Sequence, residues 1–177
     1  MGRILLISVR PRFAAMILDG TKTIELRRTR PAVTAGDVLM IYVSSPTKHL
    51  VGYSLIDAVV LGSPRQLWDS VKADAGLSLS EYRRYFAGVD TAYGIRLSRV
   101  RPLPRPLALE AIKRAWPGFV PPQTYRYICP SDPLTMADES LELRPRAGHQ
   151  RNCEKSPMAR LRSGGACRTH PLRKPER

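Results

Sequence analysis

A short polar segment, residues 20–27, lies where a helical pattern gives way to a strand pattern, and it restricts the fold more than any other stretch. Gly20 is the residue type that most often ends a helix, and the positions after it alternate in polarity. Ile24 and Leu26 fall on one face of the predicted strand. The other face carries Thr23, Glu25 and Arg27. A core strand has no use for adjacent carboxylate and guanidinium groups, so we expect either a recognition surface or a solvated salt-bridge face.

Hydrophobic periodicity divides the first 128 residues into about five strands with short helices between them. The predicted strands cover residues 3–9, 23–28, 37–44, 50–61 and 91–100, with a bend at Gly52. Helices are predicted over residues 11–18 and 107–116, after Ser63, and after the capping box formed by Ser78 and Glu81. Because the pattern lacks a regular βαβ rhythm, it favours the α+β class, with a small β-barrel of mostly antiparallel strands flanked by helices.

Aromatic residues divide the chain into two regions. All twelve lie at or before Tyr127, and the last 49 residues contain none. A segment without rings and rich in Pro, Arg and Ser buries too little apolar area to offset its chain entropy. We therefore predict a folded domain over residues 1–128 and a basic, disordered tail over residues 129–177.

Several aromatic residues follow helical stripes, which usually indicate a core. The residues assigned to the core on this ground are Trp68, Tyr82, Tyr85, Phe86 and Trp116. Arg83 and Arg84, on the same predicted helix as Tyr82, are interpreted as solvated charges that could extend a basic surface.

The tail holds all three cysteines and the one arrangement that resembles a metal site. Its candidate zinc ligands are His149, Cys153, Cys167 and His170. The residues between the two pairs contain no aromatic side chain to pack a metal-supported core, so a solvated tail is the favoured interpretation. We expect no metal and no other cofactor.

The net charge of +14 points to a polyanionic partner. Residues 1–128 alone carry +10, and 15 of their 19 cationic residues are arginines. The planar guanidinium suits phosphate contacts and stacking on bases, so nucleic acid is the expected partner. A genome rich in G and C would also enrich arginine, and composition does not separate these explanations.

Targeting segments are not apparent in the sequence. The opening apolar run, residues 4–7, is shorter than the core of a signal peptide, and no run approaches the roughly 18 apolar residues of a membrane span. We expect a cytoplasmic protein without a membrane partner.

The residues around the polar strand resemble the ASCH domain, the activating-signal-cointegrator homology module of the PUA-like superfamily. Its motif places a Ser and a Pro before a helix that is followed by Gly-x-Lys-x-x-Glu-x-Arg. The matching residues are Ser8, Pro11, Gly20, Lys22, Glu25 and Arg27. Residues 121–127 resemble the end of small prokaryotic members, so the resemblance spans roughly residues 3–128. It implies a PUA-like barrel, and the family name suggests a regulatory protein partner.

We expect the domain to bind RNA, or a nucleotide derived from it, in a cleft edged by Lys22, Glu25, Arg27 and Arg126. A loop of hydroxyls and a cation suits phosphate, whereas an amide, a ring and an arginine suit an unstacked base. The candidate binding residues are Ser8, Arg10, Lys22, Thr23, Glu25, Arg27, Ser44, Ser45, Lys48, Gln123, Tyr125 and Arg126. For Tyr127 a structural role inside the barrel is preferred.

The resemblance also implies two enzymatic alternatives. Some ASCH proteins are amidohydrolases that remove the acetyl group of N4-acetylcytidine with a Lys, a Thr and a downstream Glu. Only Lys22 carries over, because Glu25 occupies the Thr position and the Glu position falls near Asp74. Such an enzyme would therefore rely on Lys22, Glu25 and Asp74. A metal-dependent ribonuclease is the other alternative the resemblance implies, although residues 1–128 contain no cluster of paired carboxylates and His49 is their sole histidine. Whether the chain is an enzyme stays open.

Overall fold

The computed structural model describes residues 2–129 and 131–136. Within these ranges the chain forms six strands and five short helices. In chain order they are β1 (Ile4–Val9), α1 (Pro11–Leu18), β2 (Ile24–Arg27), β3 (Val38–Val43), β4 (His49–Gly62), α2 (Pro64–Val71), α3 (Leu79–Tyr85), β5 (Ala92–Ala108), α4 (Leu109–Ala115), β6 (Tyr125–Ile128) and α5 (Pro133–Met136).

All six strands belong to one curled sheet, a half-barrel in the order β2-β5-β4-β3-β1-β6. Only β1 and β3 pair in parallel, which the intervening α1 and β2 permit because a parallel pair needs a crossover. The predicted α+β class and mostly antiparallel sheet are confirmed. The prediction missed β6, which pairs antiparallel with β1 and completes the sheet.

Strand β5 is longer than its periodicity predicts. It continues to Ala108 through Pro102, Pro104 and Pro106, and helix α4 starts at Leu109 rather than at residue 107. Strand β2 pairs only with residues 93–96 of β5, so the proline half has a partner on the β4 side alone. A proline removes a backbone donor, and an edge without a partner strand tolerates that loss.

The sheet carries a core on each face. Leu5 and Ile7 pack with α1 in the first cluster, whereas Leu6 faces a second cluster that contains Ile112 of α4. Leu134 of α5 is buried in that second cluster, so the packing extends past residue 128. The boundary of the domain stays a prediction.

A third cluster places α2 and α3 against strand β2. Ile24 and Leu26 pack there with Tyr82 and Phe86, which confirms the core assignment of both rings. Ser63 and Ser78 cap the two helices, each with a complete capping box. The predicted starts of both helices are therefore correct.

Residues 137–177, which hold most of the predicted disordered tail and all four candidate zinc ligands, lie outside the described residues. In the part of the chain that the structure does describe, no helix has both the length and the apolar character needed to cross a membrane.

Gly52 tests how tightly the sheet is packed. It lies where the pairing of β4 shifts register with β3 and with β5. A Cβ atom there would lie 2.7 Å from the Arg101 carbonyl oxygen and 3.1 Å from Leu18 Cδ2. Strand β5 cannot move away from this Cβ atom without breaking its backbone hydrogen bonds to β4. We therefore expect Gly52→Ala to lower the free energy of unfolding by about 1–3 kcal/mol in urea denaturation.

Gly62→Ala is the matched control in the same strand. A Cβ atom at Gly62 would meet Gln66 Cβ at 3.4 Å, an ordinary contact. We expect its effect to stay within about 0.5 kcal/mol. Equal destabilisation by both variants would show that close approach of β5 is not the constraint.

Candidate functional site

A cavity of about 920 Å³ lies at the carboxyl ends of β1, β2 and β3. Its lining is strongly basic. The cationic lining residues are Arg10, Lys22, Arg27, Arg28, Lys48 and Arg84, whereas the acidic ones are Glu25 and Glu81. Glu25 and Glu81 each form ion pairs, so the remaining excess of positive charge faces the cavity.

Lys22 is held inside the wall of the cavity by backbone carbonyls. Only 2% of its side chain is exposed, and Nζ donates to the carbonyl oxygens of Ile24 at 2.7 Å and Ala75 at 2.8 Å. A carboxylate oxygen of Glu25 lies 3.6 Å away and forms an ion pair with the ammonium. Burial lowers the pKa of Lys22, and the charge of Glu25 opposes that shift. Two carbonyl acceptors and a nearby carboxylate suit an ammonium that positions its neighbours rather than a free amine that attacks a substrate.

Glu25 and Arg27 form the second half of this buried network. Their side chains are each 9% exposed, and Arg27 Nη2 lies 3.0 Å from Glu25 Oε1. The guanidinium also donates from Nη1 to the Thr124 carbonyl at 3.0 Å and from Nη2 to the Ser8 carbonyl at 3.4 Å. Arg27 therefore ties β2 to β1 and to the segment before β6. The alternative of a solvated salt-bridge face is wrong, because both groups are buried.

The loop between β3 and β4 forms one rim of the cavity. Ser44 N donates to the Val9 carbonyl at 2.8 Å, and Leu109 N donates to the Lys48 carbonyl at 2.9 Å. Lys48 adopts a φ of 53°, a conformation that is uncommon for a residue other than glycine. The two backbone anchors hold this strained residue in place, and its exposed side chain lines the cavity together with Ser45.

Residues 121–125 form a further part of the lining. Tyr125 Oη donates to the Arg30 carbonyl at 3.0 Å, and burial raises the pKa of its phenol. Gln123 lines the same region and is exposed. The closing segment therefore combines an anchored ring with a solvent-facing amide.

Helix α3 supplies a wall that the sequence did not predict. The helical stripe predicts Tyr85 in the core, but the residue is 38% exposed and lines the cavity together with Arg84 and Leu77. Tyr82 and Phe86 are one helical turn apart and share the buried stripe, which leaves Tyr85 at its margin. The sequence signal for this exposure was the position of Tyr85 outside the four-residue spacing that Tyr82 and Phe86 share. Phe13 and Tyr42 also line the cavity, and neither carried a sequence motif.

The structure brings ten of the predicted site residues to this cavity. They are Ser8, Arg10, Lys22, Glu25, Arg27, Ser44, Ser45, Lys48, Gln123 and Tyr125. That these residues bind a ligand stays a prediction.

Three predicted site residues, Thr23, Asp74 and Arg126, do not line the cavity. Strand alternation turns Arg126 away from Tyr125, so its guanidinium lies 5.0 Å from the centre of the Trp116 ring. Asp74 instead pairs with Arg96 at 3.4 Å, and its backbone carbonyl accepts from Thr23 N at 3.1 Å. The cleft rim expected from the sequence is therefore corrected by removing Arg126.

Lys22→Met tests whether the buried network holds the domain together. The change leaves two buried carbonyls without their donor and Glu25 without one cation, so we expect a loss of about 3 kcal/mol or more in the free energy of unfolding. Urea denaturation measures it. Lys72→Met, at an exposed lysine after α2, is the control and should stay within about 0.5 kcal/mol. A similar small effect for both would contradict the structural role of Lys22.

Glu81→Gln tests what fixes α3 beside the cavity. Hydrogen bonds from Ser78 and Arg12 lower the pKa of Glu81 to about 2 from an ordinary value of 4.5. The stabilisation is therefore complete above pH 4.5 and is lost as the pH falls through about 2. We expect the stability difference between wild type and variant to shrink over that interval in pH-dependent urea denaturation. A difference that does not change with pH would contradict this assignment.

Comparisons with known proteins agree with this architecture. The sequence model of the ASCH domain matches residues 7–103. An ASCH domain-containing ribonuclease from Zymomonas mobilis is 34% identical over 122 residues, which are 69% of this chain and 82% of the relative. The ribosomal protein uL22 of Ureaplasma parvum is 30% identical over 92 residues, 51% of this chain and 29% of that protein.

A solved structure shows the same fold. The crystal structure of ASCH from Zymomonas mobilis superposes with a TM-score of 0.72 at 32% identity, covering 78% of this chain and 94% of that one. The family match, the identity and the shared sheet agree with the motif around Lys22. The chain belongs to the ASCH domain family.

Proposed function

We propose that this protein is a ribonuclease that binds RNA in the basic cavity. The observation that carries the proposal is the charge of the lining. Arg10, Lys48 and Arg84 are exposed cations at the cavity and form no ion pair within the described residues, whereas Glu25 and Glu81 are each paired with cations. Such a lining attracts a phosphate backbone. The 34% identical relative that is named a ribonuclease supports RNA as the polyanion.

Cleavage of RNA by its own 2′-hydroxyl requires two proton transfers. One group accepts the 2′ proton as that oxygen attacks phosphorus, and another protonates the 5′ oxygen as its bond to phosphorus breaks. Most ionisable side chains of the lining are already engaged. Lys22, Glu25, Arg27 and Glu81 lie in ion pairs, and Arg28, Tyr85 and Tyr125 donate to backbone carbonyls.

The ionisable lining groups that make no hydrogen bond or ion pair among the described residues are Arg10, Tyr42, Lys48 and Arg84. Arginine does not lose its proton in proteins, so Tyr42 and Lys48 are the groups through which the cavity can transfer a proton. Burial raises the pKa of Tyr42, with the charge of Glu110 as a smaller contribution, so the phenol is protonated near neutral pH. It gives this proton to the 5′ oxygen as the bond to phosphorus breaks, and bulk water accepts the 2′ proton. Lys48 adds a positive charge for the reacting phosphate.

Two contacts weigh against the alternative of an amidohydrolase acting on N4-acetylcytidine. The ammonium of Lys22 is committed to two carbonyls and to Glu25, so a free amine is not presented to the cavity. Asp74 pairs with Arg96 outside the lining. Regulation through a protein partner stays a prediction without a contact that favours it.

Two variants distinguish RNA binding from RNA cleavage by this protein. We expect Arg10→Gln to weaken RNA binding and to reduce the slope of log K against log salt by about 0.7, the value for one released counterion on a single strand. Lys48→Gln should lower the cleavage rate by about 10²–10³-fold, the usual contribution of one group that stabilises charge in the transition state. Filter binding measures the first quantity, and gel analysis of labelled RNA measures the second.

Lys72→Gln is the control, because this exposed lysine lies outside the cavity lining. It should leave both the cleavage rate and the salt dependence unchanged. Wild-type protein that neither retains RNA at low salt nor cleaves it would overturn the proposed function. Cleavage that survives Lys48→Gln at the wild-type rate would remove Lys48 from the reaction.

A further inference from the structure

Tyr85 offers the cavity an aromatic surface. It belongs to α3, is 38% exposed, and lines the cavity. Leu77 is an apolar neighbour in that lining, and Arg84 is a cationic one. Because every other aromatic residue of the described chain is buried or partly buried, an exposed ring in a basic cavity calls for an explanation other than packing.

The Tyr85 ring is held rigidly in its position. Its hydroxyl donates to the Leu26 carbonyl of β2 at 3.2 Å. Its ring meets Phe86 edge-on, with centroids 4.8 Å apart and planes at 76°. Burial raises the pKa of the Tyr85 phenol, so the hydroxyl keeps the proton that it donates to Leu26. A ring fixed at two points presents a binding surface at little cost in conformational entropy.

Two arginines share the cavity lining with this ring. Arg84 precedes it on α3, and Arg28 reaches across from the end of β2, where its Nη2 donates to the Ala87 carbonyl at 3.1 Å. A ring that shares its cavity with two guanidinium groups suits one unit of an RNA strand, in which a flat base is bordered by two phosphates. Alternating rings and cations are how proteins bind single strands.

We propose that Tyr85 forms a nucleobase-stacking subsite, so that the cavity binds RNA with an unpaired base and discriminates against duplex RNA. The inference rests on the proposed RNA-binding function and adds the class of substrate. In a duplex the bases are stacked on one another and paired, and their faces are not available to a protein ring. Arg28 and Arg84 then hold the phosphates on either side of the stacked base.

The test compares two oligomers that differ only in their bases. Both are short 2′-O-methyl RNAs, which cannot be cleaved through the 2′-hydroxyl, and one of them is abasic throughout. Fluorescence anisotropy with the full chain measures both affinities. We expect Tyr85→Leu to weaken binding of the base-bearing oligomer about 5- to 140-fold, the equivalent of one lost stacking contact. Binding of the abasic oligomer should not change, because its phosphates still meet the same arginines.

Tyr85→Phe is the matched control, since it keeps the ring and removes only the hydroxyl. We expect it to bind the base-bearing oligomer within about threefold of wild type, as the ring carries the stacking. Urea denaturation establishes that each variant is folded. If Tyr85→Leu does not fold, Tyr85→Met, which also removes the ring, takes its place in the same comparison of base-bearing and abasic oligomers.

Results that contradict the stacking subsite differ from results that contradict RNA binding itself. Equal weakening of both oligomers by Tyr85→Leu, or wild-type binding that ignores the presence of bases, would overturn the stacking subsite and leave RNA binding intact. Wild-type protein that retains neither oligomer at low salt would overturn the proposed function itself.

Discussion

The buried network of Lys22, Glu25 and Arg27 is the interaction on which the cavity depends. Removing charges from water is costly, and a buried ion pair is tolerated only where further hydrogen bonds satisfy it. Here the acceptors include the carbonyls of Ala75 and Thr124, which come from distant parts of the chain. The network therefore forms only when β1, β2, the segment after α2 and the segment before β6 are all in place. It closes this end of the half-barrel and shapes the wall of the cavity.

The same network determines the electrostatic character of the site. Glu25 is neutralised inside the wall by two cations, and Glu81 is paired with Arg12 on the exposed side of α3. Each carboxylate thus neutralises the cations of its own ion pair, and no carboxylate of the lining neutralises the cations at the rim. A concave surface lined by one sign of charge concentrates its field, so the cavity attracts anions more strongly than the net charge of the domain implies. Lys48 is central to this rim because two backbone anchors hold it in a strained conformation.

Aromatic residues show how finely position within an element separates structure from function. Tyr82 and Phe86 share the buried stripe of α3, whereas Tyr85, between them in sequence, faces the cavity. In β6, Tyr125 lines the cavity, and Arg126, one residue later, stacks near Trp116. A single step along a helix or a strand changes which surface a side chain reaches. The basic cavity and its ring consequently arise from elements whose other faces build the core.

The sequence by itself determined what is local. Alternation in residues 23–27, the capping boxes at Ser63 and Ser78, and the motif from Ser8 to Arg27 predicted most of the elements and the α+β class. The sequence also named ten residues of the lining. Tertiary structure decided the rest. Strand β6 and the proline half of β5 pair with strands that are distant in sequence. The burial of Glu25 and Arg27, and the position of Asp74 and Arg126 outside the cavity lining, likewise depend on partners far away in the chain. Lys22 and Ala75 are 53 residues apart, and Arg27 and Thr124 are 97 apart. Periodicity describes which face a residue occupies, but the group that meets that face is fixed only when the chain closes.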